Sequence, residues 1–255
     1  MPVDISFNAG LTRASLVFQH PTGNILTLDL MRQIRAALED LLESRHLRLL
    51  TIQGAGADFC FGASVAEHTR EHMRTVLPEM HALIRDLIGL PVPTAAVVSG
   101  RCLGGGFELA LACDYIFAAE DATFGLPEIK LGAFPPAASV LLPRRVGVAR
   151  STAAILAGDS QCASAWRDAG LVAWTAPAAS LKSETEAWFD RTLARHSAEA
   201  LRHAVRVARR PIERALGEEL DEVERLYLLD LGVTHDATEG VRAFLEKRAP
   251  RWTDE

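Results

Sequence analysis

Gly100-Arg101-Cys102-Leu103-Gly104-Gly105-Gly106-Phe107-Glu108-Leu109-Ala110-Leu111-Ala112-Cys113-Asp114-Tyr115-Ile116-Phe117-Ala118 places three glycines just ahead of a short apolar helix pattern. Upstream, Thr94 to Val98 reads as a strand, and Asp114 to Ala118 reads as another. The order strand, glycine turn, short helix, strand is an α/β alternation, which sets the expected fold class. An ordinary helix start needs at most one glycine, because each adds a backbone entropy cost. Three in a row predict a close approach to that backbone. Either a ligand meets free amides at the positive end of a helix, or strand and helix pack tightly.

Working outward, Ala14 to Gln19 and Leu47 to Gln53 are apolar runs closed by turn residues and read as strands. Between them Leu30, Ile34, Ala37, Leu38 and Leu41 recur at helical spacing, with Asp29 as the expected cap. A further helix carries Met80, Leu83, Ile84, Leu87 and Ile88 and must stop before Pro91 and Pro93. After Pro135 the strand signals nearly vanish. Glu184 to Arg210 and Glu218 to Leu231 read as long helices, punctuated by Arg209-Arg210-Pro211. The expected division is a core over residues 1–195 and a helical region over 196–255, with no linker, repeat or low-complexity tract between them.

Composition narrows the function classes. With 255 residues, 49% of them hydrophobic, the chain can bury a sizeable core. Its net charge of -6 comes from interspersed acids and bases without a basic stripe, so nucleic acid is not an expected partner. Cys60, Cys102, Cys113 and Cys162 lack C-x-x-C spacing and sit in apolar surroundings, which predicts reduced, partly buried thiols. The N-terminal residues lack a basic leader, and no run reaches the roughly 18 apolar residues of a membrane span. A soluble, cytoplasmic protein with no membrane partner is the expectation.

Two acids stand in apolar frames. Glu108 lies in the first turns of the glycine-led helix, and Gly125-Leu126-Pro127 presents Glu128 just before Ile129 and Leu131. A buried carboxylate is costly unless paired or used, so the two together suggest paired proton transfer. Glu108 alone is also explained as an N-terminal acid favoured by the helix dipole. His81 reads either as a satisfied core histidine or as a pocket-lining residue. His68-Thr69-Arg70-Glu71-His72 fits H-x-x-E-H, but no third ligand follows, so a polar helix face and no metal are expected. Gly54-Ala55-Gly56 lacks the third glycine of a dinucleotide loop, which rejects NAD binding.

Four ordered segments carry a specific resemblance: Phe59-Cys60-Phe61-Gly62-Ala63-Ser64, Gly100 to Ala110, Cys113-Asp114, and Phe124 to Gly132. Together with Glu239 to Arg248, they resemble the enoyl-CoA hydratase/isomerase (crotonase) family from about Leu11 onward. The resemblance implies a crotonase-like α/β fold of repeated ββα units with a helical C-terminal trimerisation region, assembled as a homotrimer or hexamer. It also implies an acyl-CoA substrate and no separate cofactor, coenzyme A being part of the substrate. By position, the amides of Ala63 and Gly105 take the thioester oxygen, Glu108 deprotonates water and Glu128 protonates carbon. Phe61, Gly62, Ser64 and Val65 border the coenzyme and Phe134 shapes the acyl pocket, while His81 keeps its two readings, core residue or pocket lining. Retention of both glutamates favours hydration of an α,β-unsaturated thioester over isomerisation or silent coenzyme A binding.

Three departures point to an unusual acyl group. Ser64 stands where the family motif has Asp, Phe61 stands where it commonly has Ala, and Phe134-Pro135-Pro136-Ala137-Ala138-Ser139 replaces a glycine-rich run. The stretches over residues 61–68 and 132–139 are most similar to the cyclohexa-1,5-diene-1-carbonyl-CoA hydratases, which implies a broad, flat pocket rather than an alkyl tunnel.

Overall fold

β1 (Val3–Phe7) and β2 (Arg13–Phe18) form an antiparallel pair, and alternation along β2 buries Ala14, Leu16 and Phe18. This is a computed structural model describing residues 2–255. α1 (Leu28–Asp40) turns the apolar stripe of Leu30, Met31, Ile34 and Leu38 inward. Thr27 caps it by accepting from the Leu30 amide, because Thr27 has the extended backbone a cap requires. Asp29, expected in that role, instead bonds Gln33 at 2.6 Å within the first turn.

β3 (Leu49–Gly54), α2 (Met73–Gly89) and β4 (Thr94–Val98) continue the alternation. β5 (Arg101–Leu103), α3 (Gly105–Leu111), β6 (Tyr115–Ala119) and β7 (Thr123–Gly125) follow. The main sheet runs β1-β2-β3-β4-β6 and is parallel beyond β1. Every residue of β4 is buried, as befits a central parallel strand covered on both faces. The α/β fold with its helical C-terminal region therefore matches the expected class.

The C-terminal half is less helical than its composition suggests. After a 3₁₀ turn at Pro127–Leu131 come α4 (Pro136–Val146), α5 (Val148–Ala157), β8 (Gln161–Cys162), α6 (Ala163–Asp168) and β9 (Trp174–Ala176). β9 pairs with β6 and completes the six-stranded sheet, while β8 joins β5 and β7 in a second, three-stranded sheet. Strands of two and three residues are too short to show a period. The helix expected over residues 184–210 is two, α7 (Leu181–Thr192) and α8 (Ala198–Glu218), with Ser197 capping the second. Pro211 lies inside α8 and does not interrupt it. α9 (Leu220–Arg225) continues into a π-helical turn, Leu226–Leu231, and α10 (His235–Leu245) ends the helical region.

Arg209 turns inward from α8 and is 4% exposed. It donates to the carbonyls of Ile88, Leu90 and Val92 and to both carboxylate oxygens of Asp114, at 2.6 to 2.9 Å. Asp114 also accepts from the Thr94 amide, so one ion pair joins α8 to the start of β4 and the approach to β6. Arg209→Ala would strand a half-buried carboxylate and three carbonyls. It is expected to cost about 3–5 kcal/mol, read as a lower urea midpoint with an unchanged slope.

Cys60, Cys102 and Cys113 are buried free thiols, whereas Cys162 is exposed, contrary to the expectation of burial. Among the described residues, no helix is long and apolar enough to cross a membrane.

Candidate active site

Two neighbouring strand ends bring the glycine turn and the second acid together. β5 and β7 pair in parallel with Leu103 opposite Gly125, and the Gly104 amide donates to the Gly125 carbonyl at 2.9 Å. β5 leads directly into α3 and β7 into the 3₁₀ turn, so Glu108 and Glu128 emerge on the same side. Gly104 holds φ +50° and ψ −126°, a conformation that favours glycine. A Cβ there would also stand 2.7 Å from Glu128 Oε1, which places that carboxylate against the turn.

The segment at Ala63 supplies the facing backbone. Leu26 and Ala63 form an isolated parallel bridge through the Gly62 carbonyl and the Ser64 amide. In such a bridge the Ala63 amide itself faces away from Leu26. It lies close to Gly105: a Cβ on Gly105 would stand 3.3 Å from the Ala63 nitrogen. Gly105 is the first residue of α3, so its N–H has no partner within the helix. Two backbone donors thus flank one point.

A cavity of about 500 Å³ opens at that point. Phe61, Gly62, Ala63, Val65, Gly105 and Phe134 line it along with both glutamates. Met73, Val76, Leu77 and Met80 of α2 form an apolar wall, and Tyr227, Phe244 and Arg248 close the C-terminal side. Gly240 lets α10 sit against the 3₁₀ turn, since a Cβ there would overlap the Leu131 carbonyl oxygen. The sequence gives no sign that Tyr227 belongs here. It stands on the π-helical turn, a distortion often found at functional sites.

Ser64 and His81 are buried but not in the cavity wall. Ser64 is used through its backbone, its carbonyl lying 2.7 Å from His68 Nδ1. His68 itself lines the cavity, whereas the exposed His72 bonds Thr69 just before α2. The two histidines therefore do not share one helix face, and His68 is not solvated as expected. Among the described residues, no three His, Cys, Asp or Glu side chains gather as a metal set.

The two carboxyls differ in their surroundings. Glu108 is 4% exposed, and its Oε1 accepts from the Ala138 amide at 2.9 Å. Burial raises its pKa, while the Ala138 hydrogen bond and the charge of His81 oppose that rise. Burial, and then the charge of Glu108, push Glu128 up to about 8. Its Oε2 has no hydrogen-bond partner. Burial and both carboxylates also raise Tyr227, keeping its phenol protonated. Glu128 is thus a carboxyl that holds its proton at neutral pH.

A model of the enoyl-CoA hydratase/isomerase family matches residues 9–255. The chain belongs to the enoyl-CoA hydratase/isomerase family. Membership brings the general chemistry, addition of water to an unsaturated acyl-CoA thioester. Among curated relatives, a cyclohexa-1,5-dienecarbonyl-CoA hydratase of Thauera aromatica is 43% identical, covering 91% of this chain and 89% of that protein. A 2,3-dehydroadipyl-CoA hydratase of Escherichia coli K12 is 35% identical, covering 89% and 88%. The crystal structure of an enoyl-CoA hydratase from Mycobacterium avium subsp. paratuberculosis K-10 superposes with a TM-score of 0.87 at 28% identity, covering 100% of this chain and 99% of that one.

Proposed function

We propose that this hydratase adds water to a cyclic conjugated dienoyl thioester, cyclohexa-1,5-diene-1-carbonyl-CoA. The observation that carries the reading is the aromatic pair beside the acids. Phe134 and Tyr227 meet edge to face, with centroids 5.3 Å apart at 71°, on the cavity that holds Glu108 and Glu128. Aromatic edges and faces suit a flat unsaturated ring better than a flexible alkyl chain. The Thauera relative, named for hydrating this diene, supports the same assignment.

In this reading the Ala63 and Gly105 amides hold the thioester oxygen, where negative charge gathers as water attacks the β-carbon. Glu108 takes the proton from water. Glu128, already protonated, gives its proton to a carbon of the resulting dienolate, and the two carboxyls end with their charge states exchanged until solvent resets them. Phe61 and Val65 border the coenzyme. Exposed Leu229, Val233, Phe244 and Leu245 on the C-terminal elements support assembly into a trimer or hexamer.

The test is parallel turnover of cyclohexa-1,5-diene-1-carbonyl-CoA and crotonyl-CoA, with products identified by mass and chromatography. The expected result is kcat/KM higher for the diene by about tenfold or more. Preference for crotonyl-CoA would overturn the cyclic substrate and favour a general enoyl-CoA hydratase. Product of unchanged mass would reveal isomerisation.

A further inference from the structure

Asn24 is 4% exposed and holds φ +55°, a left-handed backbone that asparagine tolerates better than most side chains. Its side chain reaches the turn that follows β3, where Nδ2 donates to the carbonyls of Ala55 and Asp58, each at 2.8 Å. Its Oδ1 accepts from the His20 amide at 3.1 Å. The partners fix the orientation of this side-chain amide, because carbonyls only accept and a peptide N–H only donates. Gly54 makes the reach possible: a Cβ there would stand 2.6 Å from Asn24 Nδ2 and 2.1 Å from the Phe59 carbonyl oxygen. The Gly54-Ala55-Gly56 stretch thus serves a close approach within the chain.

Residues 23–26 carry the segment that holds Ala63. The Gly23 carbonyl accepts from the Phe61 amide at 2.9 Å, the Leu26 amide donates to the Gly62 carbonyl at 2.9 Å, and the Leu26 carbonyl accepts from the Ser64 amide at 3.0 Å. The Gly62 carbonyl and the Ala63 N–H belong to one planar peptide unit, so holding that oxygen at Leu26 aims the N–H the other way. The Ala55–Asp58 turn is tied instead to β5. Asp58 Oδ1 accepts from the Arg101 amide at 2.9 Å, and the Phe59 and Cys60 amides donate to the Arg101 carbonyl at 3.1 and 3.0 Å. β5 leads directly into Gly105. One buried side chain therefore links the frame of Ala63 to the frame of Gly105.

We propose that Asn24 is a positioning residue for the Ala63 amide: by clamping the Ala55–Asp58 turn to residues 23–26, it sets where this donor stands relative to the Gly105 amide. The proposal rests on the proposed role of those two amides as holders of the thioester oxygen. Asn24 does not line the cavity and does not touch substrate. Its removal leaves two carbonyls of the turn without their donor and frees residues 23–26, with Ala63 attached, to drift from β5. An oxyanion site works because its donors are preset, and a displacement of about 1 Å can cost on the order of a hundredfold in rate.

The experiment compares the parent with Asn24→Asp, Asn24→Gly, Gly105→Pro and Gly105→Ala. Aspartate keeps the shape and the acceptor for His20 but turns an oxygen toward the two carbonyls. Glycine suits the left-handed backbone, so it removes the clamp without adding backbone strain. Each protein is read by kcat and KM for the diene and crotonyl thioesters, by calorimetric affinity for butyryl-CoA and by thermal melts. The infrared spectrum of bound butyryl-CoA, labelled with carbon-13 at the thioester carbonyl, reports the hydrogen bonds on that oxygen. The expected result for both Asn24 variants is kcat lower by about 10- to 100-fold, with butyryl-CoA affinity within about twofold of the parent and the carbonyl band at higher frequency. A purely structural asparagine would lower Tm and leave the band and the kcat of the folded enzyme in place, which overturns the proposal. A lower kcat with an unmoved band overturns it as well. If Gly105→Pro moves the band relative to Gly105→Ala while neither Asn24 variant does, the proposal falls and the donor pair stands. If Gly105→Pro matches Gly105→Ala in band and rate, the donor pair falls and the proposal with it. Should Asn24→Asp fail to fold, Asn24→Gly decides the matter alone.

Discussion

Glu108→Gln and Glu128→Gln are each expected to slow hydration by about 10²- to 10⁴-fold, with the double variant losing little more than the worse single one. In the proposed mechanism the two roles are sequential parts of one proton circuit. Removing the base leaves the acid without an enolate to protonate, and removing the acid leaves the enolate to revert. Glutamine retains the shape of each side chain and, at position 108, an oxygen for the Ala138 amide. Loss of rate should therefore come without loss of thioester binding, measured by calorimetry with a saturated acyl-CoA.

The two variants are expected to diverge in pH behaviour and stability. With Glu128 as the proposed acid, the parent kcat/KM should fall as pH rises through about 8. Its folded-state value lies above the ordinary 4.5, so the folded protein holds an extra proton across that window. Stability from this group is present below about 4.5 and is lost as pH rises towards about 8. Glutamine has nothing to ionise. Glu128→Gln should melt at or above the parent temperature at pH 8 while being nearly inactive, which separates a functional acid from a structural one.

The parts of the fold legible in sequence were those with period and punctuation. β4 coincides with its apolar run, and α2 stops ahead of Pro91 as its prolines require. β9 was invisible because three residues at a sheet edge carry no repeat. The break between α7 and α8 was hidden because Ala, Leu, Glu and Arg continue across it. At the site, Gly105, Glu108 and Glu128 could be singled out because glycine runs and acids in apolar frames are locally expensive. Tyr227 could not, since a tyrosine in a C-terminal helical stretch is locally ordinary. Its significance arises only when the π-helical turn folds back against the cavity.

Gly105→Pro is expected to lower kcat by about 10²- to 10³-fold relative to Gly105→Ala, because it deletes an N–H rather than adding bulk alone. Position 105 opens α3, where proline is tolerated and its ring angle suits the helix. The restriction that proline imposes on its predecessor excludes the helical region, and Gly104, at ψ −126°, lies outside it. Both variants place a Cβ about where it would meet the Ala63 amide nitrogen, at 3.3 Å, so that crowding is common to the pair. Alanine is the control for the added Cβ, and the difference between the variants reports the replacement of the N–H donor by the ring Cδ. If charge gathers on a thioester oxygen between Ala63 and Gly105, removing one amide weakens the transition state more than the ground state, so kcat should fall with little change in the affinity for a saturated thioester. Equal rates for proline and alanine would place the developing charge elsewhere and require another donor pair on the cavity wall.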